Sequence, residues 1–89
     1  SKYDDALKYA HEAVNQLKKK PEPDSVALAR CLRQVGHVLE AQNKPREAIR
    51  YYEEGLKVLS PSTDSRDPSL VAVYFRLAEC YVEIGKISE

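Results

Sequence analysis

Apolar residues recur along this chain at steps of three and four, the period of a helix that buries one face. Ala6, Leu7, Ala10, Ala13, Val14 and Leu17 mark such a face over residues 2–19. Leu28, Leu32, Val35, Val38 and Leu39 mark a second over 25–42, and Ala48, Ile49, Tyr52, Leu56 and Leu59 a third over 45–59. The fourth, over 67–87, places Leu70, Val73, Tyr74, Leu77, Cys80, Tyr81 and Ile84 inward. Helix breakers separate the stripes: Pro21 and Pro23, then Asn43-Lys44-Pro45, then the polar run at 60–68 containing Pro61, with Gly85 after the last. Asp67-Pro68 reads as a helix start, because Asp accepts backbone N–H bonds as N-cap and Pro suits the first helical position. No segment alternates with the period of a strand. The expectation is an all-α chain of four helices.

A shift of 42 residues lays the chain over itself. Ala6 then meets Ala48, Leu7 meets Ile49, Tyr9 meets Tyr51, Glu12 meets Glu54 and Leu17 meets Leu59. The same shift lays the second helix over the fourth, with Leu32 on Tyr74, Val35 on Leu77, Gly36 on Ala78 and Leu39 on Tyr81. One period relating two independent helix pairs marks a repeat array. Gly36 stands in mid-helix, where glycine costs about 1 kcal/mol relative to alanine. A close helix–helix crossing is the simplest compensation, with Ala48 and Ala6 as small residues on the partner helices and Ala78 as the repeat counterpart of Gly36.

These residues resemble the tetratricopeptide repeat family. Leu32, Val35-Gly36 and Leu39, then Ala48, Tyr52 and Gly55, then Pro61 follow one repeat of its pattern. Tyr74, Leu77-Ala78, Tyr81 and Gly85 match the first helix of a following repeat, and Ala6, Ala10 and Ala13 the second helix of a preceding one. Leu stands where the family usually has Trp and Tyr, Val where it has Leu, and Pro falls one place late. The resemblance divides the chain into 1–20, 25–61 and 67–87, the middle segment being one complete repeat. It implies antiparallel helical hairpins stacked as a right-handed α-solenoid. The 42-residue unit is longer than the family's usual 34 and is similar to kinesin light chain-type repeats, which also open on an Asp-Pro-like pair.

Composition narrows the function. Fourteen Lys and Arg cancel fourteen Asp and Glu, which removes the basic excess of a nucleic-acid binder. Mean hydropathy is -0.55, and no apolar run approaches the ~20 residues that span a bilayer, so no membrane insertion is expected. Cys31 and Cys80 lie inside apolar stripes and read as buried thiols of a reducing, cytoplasmic setting. His11 and His37 are 26 residues apart with no ligand-spaced companions, the three glycines are isolated, and no nucleophile motif occurs. No catalytic residue, cofactor or metal is expected. Lys18-Lys19-Lys20 is read as cations at a helix C-terminus.

In arrays of this family the first helices of successive repeats line a concave groove. The groove-facing positions here are Arg30, Arg33, Gln34 and His37 on the second helix, with Phe75, Arg76 and Glu79 on the fourth. Packed helices lie about 8–10 Å apart, so Arg33/Phe75, Gln34/Arg76 and His37/Glu79 are expected as neighbouring rows. An apolar anchor among guanidinium and amide donors suits a peptide or helix of a protein partner. Some family members hold the acidic tails of heat-shock chaperones in a clamp of Lys, Asn and Arg. Arg76 matches its last arginine, but Ala72 and Gln34 replace the Lys and Asn, so that activity is not carried over. The expected role is a protein–protein interaction scaffold. The alternatives are a helical accessory domain of a larger enzyme and a module that self-associates through incomplete repeats at its ends.

Overall fold

A computed structural model describes residues 2–21, 24–59 and 67–88. These residues form four helices, α1 (Lys2–Lys18), α2 (Ser25–Ala41), α3 (Pro45–Leu59) and α4 (Pro68–Ser88). Pro23, Pro61 and most of the polar run at 60–68 lie outside the described residues. The ends of the helices have local causes. Asp24 caps α2, its Oδ1 accepting from Ala27 N–H at 3.1 Å. Asp67 caps α4, its Oδ1 accepting from Ser69 N–H at 2.8 Å. Between α2 and α3, Asn43 takes the left-handed conformation at φ 63°, which Asn tolerates better than most residues. Lys44 N–H then donates to Leu39 C=O at 2.8 Å and Asn43 N–H to Glu40 C=O at 2.9 Å. That pair of bonds satisfies the last carbonyls of α2, and Pro45 opens α3 where its missing N–H has no consequence.

Each helix packs beside its neighbour in sequence: α1 on α2, α2 on α3, and α3 on α4, with α2 also touching α4. The helices form a slab 44 × 33 × 16 Å, whose thin dimension holds two helix layers about 8–10 Å apart. The core runs through the middle of the slab, with Leu32, Val35, Ala48, Tyr52, Leu59, Val73 and Cys80 essentially inaccessible to water. The expected close crossing is present at Gly36. A Cβ added there would lie 2.6 Å from Cε1 of Tyr52 and 2.8 Å from its Cζ. Three adjacent carbons of the Tyr52 ring thus lie against α2 at Gly36, and its hydroxyl donates to the Glu40 carboxylate one turn further along.

Three expectations need correction. Tyr74 and Tyr81, assigned to the core, are 56% and 58% exposed. Ala78 is exposed, although its repeat counterpart Gly36 is buried in the crossing, and Ala6 is exposed on α1. The physical reason is common to all: no described helix packs on that face of α4 or on that face of α1. Cys31 is only half buried, unlike Cys80.

The buried tyrosine and thiol make stability depend on alkaline pH. Burial pushes the Cys80 thiol up from its ordinary 9.0 to about 12, and the Glu40 carboxylate adds to the shift. Burial, followed by the hydrogen bond to Glu40, raises the Tyr52 phenol well above the ordinary phenol range. Both groups hold their protons more tightly folded than unfolded. The unfolded chain therefore releases protons first, and this stabilisation, complete below pH 9, is lost as pH rises toward about 12. Urea midpoints measured in steps of pH should decline above 9, and Cys80→Ala should flatten part of the decline. A wild-type profile that stays level up to 12 would contradict it.

Candidate functional site

The amphipathic pattern that buries Leu32, Val35 and Leu39 turns Arg33, Gln34 and His37 of α2 toward the side shared with α4. There they meet Ala72 and Arg76 around a cavity of about 310 Å³. Of the residues proposed from sequence, Arg33, Gln34, His37 and Arg76 line this cavity together. Arg30 faces a neighbouring cleft of only about 10 Å³, where Arg33 is also found, beside Leu59, Ser69 and Val73. Phe75 does not line the cavity. It is 64% exposed on α4, one residue before Arg76. Glu79 does not reach across to His37; it pairs instead with Arg76 of its own helix, Nη1 to Oε1 at 3.2 Å. That pairing follows from their i,i+3 spacing on α4. Exposed pairs of this kind are worth about 0–1 kcal/mol, so Arg76 can exchange Glu79 for another carboxylate at little cost.

The charges along the groove are segregated. Next to the cavity of Arg33, His37 and Arg76 lies a second one, of about 240 Å³, lined by Glu40, Asn43, Pro45, Glu79 and Glu83. The side of the slab shared by α2 and α4 therefore has a basic half toward the start of α2 and an acidic half toward its end. Sequence reasoning did not single out this acidic half. Its signal is the three glutamates Glu40, Glu79 and Glu83, of which the sequence reading assigns only Glu79 to the groove, as the expected neighbour of His37.

On the α1 and α3 side there is a larger cavity, about 390 Å³, over Leu7 and Leu39 and rimmed by His11, Lys44, Glu47, Arg50, Tyr51 and Glu54. Lys18 Nζ bridges to Glu54 Oε2 at 3.0 Å, and the His11 and Tyr51 rings meet edge to face at 5.7 Å. These contacts join α1 to α3 across the gap. Its cations and carboxylates alternate and offset one another, whereas the cavity between α2 and α4 presents only cationic, imidazole and amide groups.

Among the described residues no group of three or more His, Cys, Asp or Glu is placed to hold a metal ion, and no helix is long and apolar enough to cross a membrane. No curated protein and no solved structure matches the chain. A family model of the tetratricopeptide repeat, a general protein–protein interaction module, matches residues 1–60. Those residues span α1 to α3, two thirds of the 89, and with helices packed in adjacent pairs about the Gly36–Tyr52 crossing the chain belongs to the tetratricopeptide repeat family.

Proposed function

We infer that the groove between α2 and α4 binds a peptide or helix of a protein partner that carries an acidic group beside an apolar one. The observation that supports this reading is the convergence of Arg33, Gln34, His37 and Arg76 on one cavity. Two guanidinium groups offer paired N–H donors matched to a carboxylate, and the Gln34 amide adds another. Phe75 supplies the apolar contact. The acidic half formed by Glu40, Glu79 and Glu83 favours a ligand that also carries basic residues to one side of its acidic one.

Selection of binders from a random-peptide array, followed by variants, tests the reading. Acidic-apolar sequences should be enriched. Arg76→Ala and Phe75→Ala should each weaken binding by about 1–3 kcal/mol with helix content unchanged, while Arg46→Ala, at the turn before α3, does little. Binding that survives both groove changes but falls with Tyr9→Ala or Tyr51→Ala would transfer the site to the opposite face.

A second reading, self-association, is favoured by a separate observation. The outer face of α4 exposes Val71, Tyr74, Tyr81 and Val82, each more than half accessible. This face is distinct from the one that carries Arg76.

A further inference from the structure

We propose that the acidic group held between α2 and α4 is the phosphoryl group of a phosphorylated side chain, so that the groove takes a phosphopeptide. The proposal rests on the groove reading above and names its ligand more closely. Among the described residues, the cavity of about 310 Å³ is lined by Arg33, Gln34, His37, Ala72 and Arg76, with no carboxylate in the set. Among the same residues, no hydrogen bond or ion pair engages the side chain of Arg33, Gln34 or His37. Arg76 gives Nη1 to Glu79 and keeps the other donors of its guanidinium fork. Two guanidinium groups, an imidazole and an amide thus share one space with donors to spare.

Charge and shape together separate a phosphoryl group from a carboxylate. The whole chain is neutral, yet two guanidinium groups here line one space that holds no offsetting carboxylate. A single carboxylate offsets one of them and leaves the other unmatched. A phosphorylated side chain carries about −1.5 to −2 charge at pH 7 and three strong acceptor oxygens, enough for both. The Arg76–Glu79 pair is exposed and worth little, so it does not keep Arg76 from such a group. Placement agrees with charge. Arg33 and His37 stand i,i+4 on α2, and Arg76 reaches the same cavity from α4. Donors that close in from two helices suit a tetrahedral group, whereas the two oxygens of a planar carboxylate can be taken by one guanidinium alone. Arg30, one turn before Arg33 and exposed beside the adjoining cleft, adds a third cation at this end.

The acidic cavity beside it gives the peptide a second requirement. Glu40 stands three residues beyond His37 on α2, and Glu79 and Glu83 stand three and seven beyond Arg76 on α4. At a helical rise of about 1.5 Å per residue, those steps span about 5–10 Å. An extended peptide advances about 3.3 Å per residue. A Lys or Arg two or three positions from the phosphorylated residue therefore falls among the carboxylates, whereas an acidic residue there meets like charge.

Short peptides that differ only in carrying phosphoserine, glutamate or serine at one position, with an Arg three residues away, test the proposal by calorimetry and by backbone amide shifts. The phosphoserine peptide should bind at least about tenfold more tightly than the glutamate one, and move the amides of Arg33, His37 and Arg76. Exchanging its Arg for Glu should weaken it. Arg33→Gln, checked for retained helix by circular dichroism, should remove most of the advantage of phosphoserine over glutamate. Inorganic phosphate, and phosphatidylcholine vesicles containing a phosphoinositide, should each bind at least about tenfold more weakly than the phosphopeptide. Equal affinity for the phosphoserine and glutamate peptides, with shifts at the groove, would overturn the phosphoryl assignment and leave the groove reading in place. Shifts at the groove with none of the peptides would overturn both. Phosphate or vesicles that bind as tightly as the phosphopeptide would overturn the peptide as carrier of the phosphoryl group.

Discussion

Tyr52→Ala is expected to leave the chain at or near the limit of folding. Among the described residues the side chain is the largest of the fully buried ones; it lies against Gly36 and Glu40 of α2 and is within electrostatic reach of Cys80 and Arg76 of α4. Removing a ring of this kind from a packed core costs about 3–5 kcal/mol, through lost burial and the cavity left behind. At roughly 0.05–0.15 kcal/mol per residue, a domain of this length has only about 4–13 kcal/mol to lose. Tyr52→Phe separates ring from hydroxyl: it keeps the packing on Gly36, removes the bond to the Glu40 carboxylate, and should cost about 1.5–3 kcal/mol. Urea unfolding followed by circular dichroism reads both. Equal effects of the two substitutions would mean that the hydrogen bond, and not the ring, holds the crossing together.

Gly36→Ala is expected to destabilise although alanine is the better helix former by about 1 kcal/mol. The new methyl would meet three carbons of the Tyr52 ring at 2.6–3.0 Å. The ring cannot withdraw cheaply, being fully buried with its hydroxyl engaged by Glu40. Overpacking costs about 1–3 kcal/mol and outweighs the gain in propensity; Gly36→Leu should cost more still. The other two glycines provide the opposite sign. A methyl at Gly85 meets nothing within 4 Å, and one at Gly55 meets only the Ala29 carbonyl at 3.8 Å. Gly85→Ala and Gly55→Ala should therefore raise the melting temperature by about 4–8 °C for each 1 kcal/mol gained, while Gly36→Ala lowers it. A rise at all three positions would remove the crossing from the account.

Much of this arrangement is legible in the sequence because the repeat register carries it. The span of α3, Pro45–Leu59, is readable from Asn43-Lys44-Pro45 and the last apolar position, and the start of α4 from Asp67-Pro68. Gly36 signals its own crossing because an isolated mid-helix glycine needs a packing reason. Tyr74 and Tyr81 mislead for the converse reason: periodicity identifies a helix face that could be buried but says nothing of whether a neighbour lies over it. On α2 the same face is covered by α3, whereas on α4 no described helix covers it.

At the candidate site, the register brings Arg33, Gln34, His37 and Arg76 together, since the groove side of α2 and α4 is fixed once the 42-residue equivalence is known. It does not foresee which partner a long side chain chooses. Glu79 turns to Arg76 on its own helix, and Glu40 serves Tyr52 rather than standing free. The first is one of the pairings that i,i+3 spacing offers, in competition with His37 across the groove; the second depends on a distance across packed helices that spacing along one helix does not contain.

The groove assignment is tested most directly by titrating the isotope-labelled chain with the strongest acidic-apolar peptide selected from an array, following each backbone amide by nuclear magnetic resonance. The expected result is a set of shifts centred on Arg33, Gln34, His37, Ala72, Phe75 and Arg76 that disappears in Arg76→Ala. Shifts centred instead on His11, Tyr51 and Glu54, unchanged by Arg76→Ala, would place binding in the cavity between α1 and α3 and contradict the groove as the site.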